Sequence, residues 1–149
     1  LARIKLREEL REEEGGVYGV SIGGGQSKFP IEQYSIRIKF NADPPRTNDL
    51  IAAAQQVISK MKMEVNPADI VKVTETRRQS RIKDLEQNQF WMSAFINSWI
   101  NGTDMNNATQ LSVLEIRIAS LNPEVLKQAA RKYFSDKELI SVVMFPEKK

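Results

Sequence analysis

The sequence contains no cysteine and no histidine. The first absence excludes disulfides, thiolate metal sites and cysteine nucleophiles. It leaves the compartment open, because oxidising and reducing compartments both hold cysteine-free proteins. The second absence excludes more. Catalytic zinc sites almost always use an imidazole, and Ser-His-Asp or Cys-His arrangements require one. The commonest general acid–base group near neutral pH is missing too. Long hydrophobic runs are also lacking, and none approaches the roughly 20 apolar residues of a membrane helix. Charge of one sign is not in marked excess: 22 Lys and Arg stand against 19 Asp and Glu, a formal net charge of +3. The pI of about 9.2 sounds basic, but the charges are mixed along the chain. A nucleic-acid binder concentrates its Lys and Arg on one face.

What is present is an ordinary globular composition. The 149 residues are 41% hydrophobic and 28% charged. That suits one domain, and a chain of this length buries roughly two-thirds of its unfolded surface. It opens at Leu1 inside a helical pattern, without Met or a signal peptide, and reads as a piece of a longer protein.

Residues 1–14 form a charged helical pattern. Leu6 and Leu10 make an apolar stripe; Arg3, Arg7 and Arg11 make a basic one. Gly15-Gly16 ends it, as glycine does at helix C-termini. Val17 to Ile22 reads as a strand, with Tyr18, Val20 and Ile22 on one face. Gly23-Gly24-Gly25 is expected to open a loop through Pro30. Gln33 to Asn41 is the clearest strand: Tyr34, Ile36, Ile38 and Phe40 face one way, and Ser35, Arg37 and Lys39 the other.

Asp43-Pro44-Pro45 breaks the chain. A helix is expected from about Asn48 to Lys62. Asn66-Pro67 pairs a cap with Pro at the first helical position, and starts a second helix that runs to about Leu85. Further helices are expected over Asn88–Ile100, stopped by Asn101-Gly102, near Ala108–Ser120, and from Asn122-Pro123. Ile140 to Phe145 reads as a closing strand. The order gives an α+β fold: an antiparallel or mixed sheet of about three strands packed by four or five helices, taken as a single partial domain over residues 1–149.

Four features invite functional readings. A phosphate loop needs a helix N-terminus directly after its glycines. Lys28, Phe29 and Pro30 follow Gly23-Gly24-Gly25 instead, so a strand connection is expected. Arg77, Arg78, Arg81 and Lys83 read as a solvated basic face, with an acidic peptide or nucleic acid as the alternative. Trp91, Phe95 and Trp99 read as core, with a contact to a missing domain as the alternative. Asp104, Asn106 and Asn107 lack the spacing of a calcium loop.

The run Leu10-Arg11-Glu12-Glu13-Glu14-Gly15-Gly16-Val17-Tyr18 is more specific. It resembles a helix–strand junction in the second half of pitrilysin/insulinase-type zinc metallopeptidases. There a Leu-Arg-Glu run is followed by Gly, with a Tyr seven residues after the Arg. Asn66-Pro67 before a long charged helix, Asn122-Pro123 before the helix ending Lys132-Tyr133-Phe134, and the Ile140-to-Phe145 strand fall in the family's order. The resemblance thus covers nearly the whole chain.

It implies a truncated LuxS/metallohydrolase-like domain from the C-terminal, inactive half of such a peptidase. Arg11 and Tyr18 would bind substrate, Arg11 by charge or hydrogen bonds and Tyr18 through its phenol at the substrate carbonyl or the oxyanion formed from it. The plainer alternative is an arginine in a helix ion network and a tyrosine packed on the sheet. The family's inverted His-x-x-Glu-His zinc motif is absent, so no catalytic residue and no metal ligand is expected here. Zinc would lie in the catalytic half, supplied by the same protein or by a partner subunit. The implied function is a substrate-binding, chamber-forming domain clamping a peptide, with a purely structural subunit as the alternative. The implied partners are that zinc half and a peptide substrate, without nucleic acid or a membrane span, and a homodimer through an exposed sheet edge is open to it. For the parent's origin the resemblance implies a bacterium and the periplasm, with the cytoplasm left open.

Overall fold

The structure is a computed structural model that describes residues 1–15 and 17–145. The chain divides into two compact units. One comprises Leu1–Val65 with the segment from Leu126 onward, and the other Asn66–Val125.

In the first unit, helix α1 (Ala2–Arg7) continues into a π-helical turn over Glu8–Glu13. Leu6 and Leu10, four apart, are both fully buried. Burying each contributes about 1.5–3 kcal/mol, which sets the face this helix presents to the core. Gly15 adopts φ +60°, a conformation that glycine takes without a Cβ penalty. The other expected terminator, Gly16, lies outside the described residues.

Strand β1 (Val17–Ser27) pairs antiparallel with β2 (Gln33–Ala42). Val17 faces Ala42 and Val20 faces Phe40, so Tyr18 and Gly19 together oppose Asn41 in a β-bulge. The bulge changes the parity of the strand. Val17 is buried before it, and Val20 and Ile22 pack on the core after it, opposite Phe40 and Ile38. Helix α2 (Thr47–Met63) closes the core with Leu50, Ala53, Ala54, Val57, Ile58 and Met61, all buried. Those positions follow the 3.6-residue period.

Helix α7 (Pro123–Tyr133) contributes Ala130 to the same core. The ring of Tyr34 meets that of Tyr133 edge-on at 5.1 Å, and its hydroxyl donates to the Lys132 carbonyl at 3.2 Å. Arg131 donates to the Lys62 carbonyl at 2.8 Å, and Lys62 bridges to Asp136 at 2.7 Å.

The second unit is helical. Helix α3 (Pro67–Leu85) is capped by the Asn66 side chain, which accepts from the Ala68 amide at 2.9 Å. Helix α4 (Asn88–Asn101) ends at Gly102 in the left-handed conformation. A single turn, α5 (Asn106–Thr109), precedes α6 (Leu111–Ala119). The expected helix from about Ala108 is therefore interrupted, because Gln110 is extended and resets the chain. Arg78 on α3 makes a bidentate bridge to Glu115 on α6, both contacts at 2.8 Å.

The α+β class holds, and four further expectations are corrected. The glycines 23–25 lie inside β1, opposite Arg37, Ile36 and Ser35, rather than in a loop. A Cβ on Gly24 would lie 2.8 Å from the Ser35 carbonyl oxygen, so close strand approach requires glycine there. Ile140 to Phe145 has no regular secondary structure, so the described sheet has two strands rather than three. Its residues are apolar enough for a strand, but no strand among the described residues pairs with them. Arg81 is not on a solvated face: it is buried over the Phe90 ring and donates to the Ala108 carbonyl. Burial, then the neighbouring Arg77, pull its pKa below the usual arginine range. Finally, Trp91, Phe95 and Trp99 are not core residues, and Trp99 is 81% exposed.

Candidate functional site at the helix–strand junction

Arg11 stands on the π-helical turn and Tyr18 on the second residue of β1. The two elements touch and are joined by the short turn at Gly15, so both residues lie at one junction of the first unit. Both side chains are exposed, Tyr18 at 96%. Among the described residues neither has a hydrogen-bond or ionic partner.

The local sequence explains the exposure of Tyr18. Strict alternation would place it on the face of Val20 and Ile22, against the core. The bulge at Tyr18-Gly19 breaks that alternation and turns the phenol outward. A tyrosine packed on the sheet is thus not what the structure has. Nor does Arg11 belong to the helix ion pairs, which run between Lys5 and Glu8 at 3.4 Å and between Arg7 and Glu12 at 4.0 Å.

One residue that sequence reasoning missed shapes this junction. Arg46, at the end of the short 3-10 turn Pro44–Arg46, donates to the Glu14 carbonyl and to the Glu14 carboxylate, each at 2.7 Å. It thereby holds the C-cap residue of the π-helical turn, just before Gly15. Arg3 adds a second tie, donating to the Ile22 carbonyl at 2.9 Å. No signal in the sequence joins Arg46 to Glu14, since the pair is 32 residues apart. The bulge did have a signal, a lone glycine inside a strand pattern directly after Tyr18.

Chemically, the junction offers a guanidinium and a phenol hydroxyl. The first can bind carbonyl or carboxylate oxygens in a fork, and the second can donate one hydrogen bond. Among the described residues no group of three or more His, Cys, Asp or Glu side chains could hold a metal ion. With His and Cys missing from the whole sequence, the donor set does not fit a zinc centre.

A family model described as the peptidase M16 inactive domain matches residues 2–77, which include the whole junction. The chain belongs to this family. No curated protein sequence matches the chain. Among solved structures, the chain is similar to the periplasmic protease PqqL from Escherichia coli, with a TM-score of 0.68 and 21% identity over 90% of this chain. It is also similar to a variant of the ferredoxin protease FusC in complex with Arabidopsis ferredoxin, with a TM-score of 0.66 and 18% identity over 89% of this chain. At those identities the likeness carries the fold. The chain spans only 14% and 15% of the lengths of these two proteins. The matched family model is that of an inactive domain, and the sequence holds no histidine.

Proposed function

We propose that this chain is a substrate-binding, chamber-forming part of the non-catalytic half of a zinc endopeptidase. Residues 1–149 belong together in that half. The zinc half comes from the same protein or from a partner subunit, and supplies the metal and the attacking water.

The observation that carries the reading is that Tyr18 and Arg11 are both exposed, on two elements that meet at a junction tied down by Arg46 and the bulge. Arg11 binds carbonyl oxygens or an acidic side chain of an extended peptide. Tyr18 donates its hydroxyl proton in a hydrogen bond to the substrate carbonyl oxygen. That bond strengthens as negative charge develops on the oxygen, and such a donor is worth about 3 kcal/mol when water is excluded. A phenol that is 96% exposed lacks that dry environment. The opposing half must therefore close over it, and a chamber provides that closure.

The experiment is a quenched-peptide assay on the chain alone and on the chain combined with the zinc half. The chain alone is expected to show no turnover and to bind no zinc tightly by calorimetry. With the zinc half, turnover is expected and is reduced in Arg11→Ala and Tyr18→Phe. Robust hydrolysis by the pure chain would refute the reading.

A further inference from the structure

Helix α4 is built inside out. It packs on α3 and α5, and the residues it buries are small: Ala94 at 7% exposure and Ser98 at 9%. Its large residues face outward: Trp91, Met92, Phe95, Ile96, Trp99 and Ile100 are all exposed. At about 100° per residue these six occupy one continuous half of the helical circumference. Globular proteins place large apolar side chains inside and small polar ones outside, so an exposed half-cylinder of this kind marks a contact surface.

We infer that this face is a self-association surface, and that its occupant is α4 of a second copy of the chain. Three observations select that occupant. First, none of the 14 residues of α4 is charged. Two copies can therefore meet without like-charge repulsion, whereas an anionic lipid surface or a charged peptide would find nothing to pair with. Second, the stripe is symmetric about its centre. Trp91, Phe95 and Trp99 read the same from either end. An isologous two-fold contact requires such self-complementarity. Two antiparallel α4 helices crossing at Phe95 bring Trp91 of one onto Trp99 of the other, and Phe95 onto its own equivalent. Third, the area suits a weak, reversible pair. The three aromatics expose on the order of 400 Å² together. Met92 borders a contact centred on Phe95, whereas Ile96 and Ile100 turn away from it, so the pair buries less than the roughly 800 Å² per partner of an ordinary specific interface.

The inference is independent of the Arg11–Tyr18 reading, and it places the contact on a helix rather than on a sheet edge. The sequence supplies its own probe, because Trp91 and Trp99 are the chain's two tryptophans and both lie on this face. The experiment is sedimentation of the 149-residue chain over a wide concentration range, with tryptophan emission and acrylamide quenching recorded in parallel. The expected result is a monomer–dimer equilibrium in which emission shifts to the blue and quenching falls as dimer forms. Phe95→Arg, at the crossing point, is expected to weaken the dimer at least tenfold, as loss of an interface hot spot does. Trp99→Gln, at a position 81% exposed, keeps the test readable should Phe95→Arg fail to fold by circular dichroism. A monomer at every concentration overturns the inference. So does a dimer that survives both substitutions, which would assign association to another surface such as the sheet edge. A monomer whose emission shifts only on adding lipid vesicles or the zinc half would give the face a different occupant, and overturns it as well.

Discussion

Arg46 gives the sharpest stability test of the junction. Its guanidinium makes two contacts to Glu14, each at 2.7 Å, one with the backbone carbonyl and one with the carboxylate. A well-buried hydrogen bond to a charged group contributes about 1.5–3 kcal/mol. Here the two side chains are 40% and 38% exposed, and solvent screening lowers each contact to about 0.5–1 kcal/mol. Arg46→Ala is therefore expected to cost about 1–2 kcal/mol in all, or about 3–6 °C in Tm for a chain of this size. Glu14→Gln removes the carboxylate charge and leaves the carbonyl. It should cost about half as much, and the double variant should be little worse than Arg46→Ala. Urea denaturation followed by circular dichroism gives the energies. Amide hydrogen exchange of Val17 to Val20 localises them, because a clamp at Glu14 should speed exchange there first. A loss under about 0.3 kcal/mol, or a loss with unchanged exchange at those amides, would refute the clamp.

Two further outcomes are expected. Gly24→Ala should destabilise the hairpin by about 1–2 kcal/mol, because the new methyl meets the Ser35 carbonyl oxygen. Gly25→Ala, where a Cβ meets nothing within 4 Å, should be neutral or slightly stabilising in the same denaturation assay. In the second unit, the hydrogen bonds from Arg78 hold the Glu115 carboxyl below its ordinary 4.5. A depressed pKa gives stability that is present above the unfolded value and lost as pH falls through the folded one. Melts in the acid range below pH 4.5 should therefore show a loss that Glu115→Gln removes, and high salt should shrink it at neutral pH.

How much of this was legible in the sequence differs by element. The helix over Pro67–Leu85 was readable almost to the residue, because Asn66-Pro67 is a local signal and its cap is a contact two residues long. The helix stop at Gly102 was readable for the same reason. The glycine run misled because glycine marks both loops and close strand approach, and only the partner strand decides between them. Ile140 to Phe145 misled because a strand needs a neighbour as well as a pattern. The aromatic stripe of α4 misled because hydrophobicity says that a residue avoids water, not which surface covers it. At the candidate site, the Arg11 and Tyr18 spacing was visible through family resemblance. The outward turn of Tyr18 was hidden in a one-residue bulge, and the Arg46 clamp in a contact across 32 residues.

The most direct test of the central claim is steady-state hydrolysis of a quenched peptide by the zinc half combined with wild-type, Arg11→Ala or Tyr18→Phe chain. A donor acting on the developing oxyanion should appear in kcat, so Tyr18→Phe is expected to lower it about 100-fold. A binding contact made equally in ground and transition states should appear in KM, so Arg11→Ala is expected to raise KM with kcat little changed. Wild-type kinetics from both variants, in complexes that assemble normally, would contradict the claim that this junction grips the substrate.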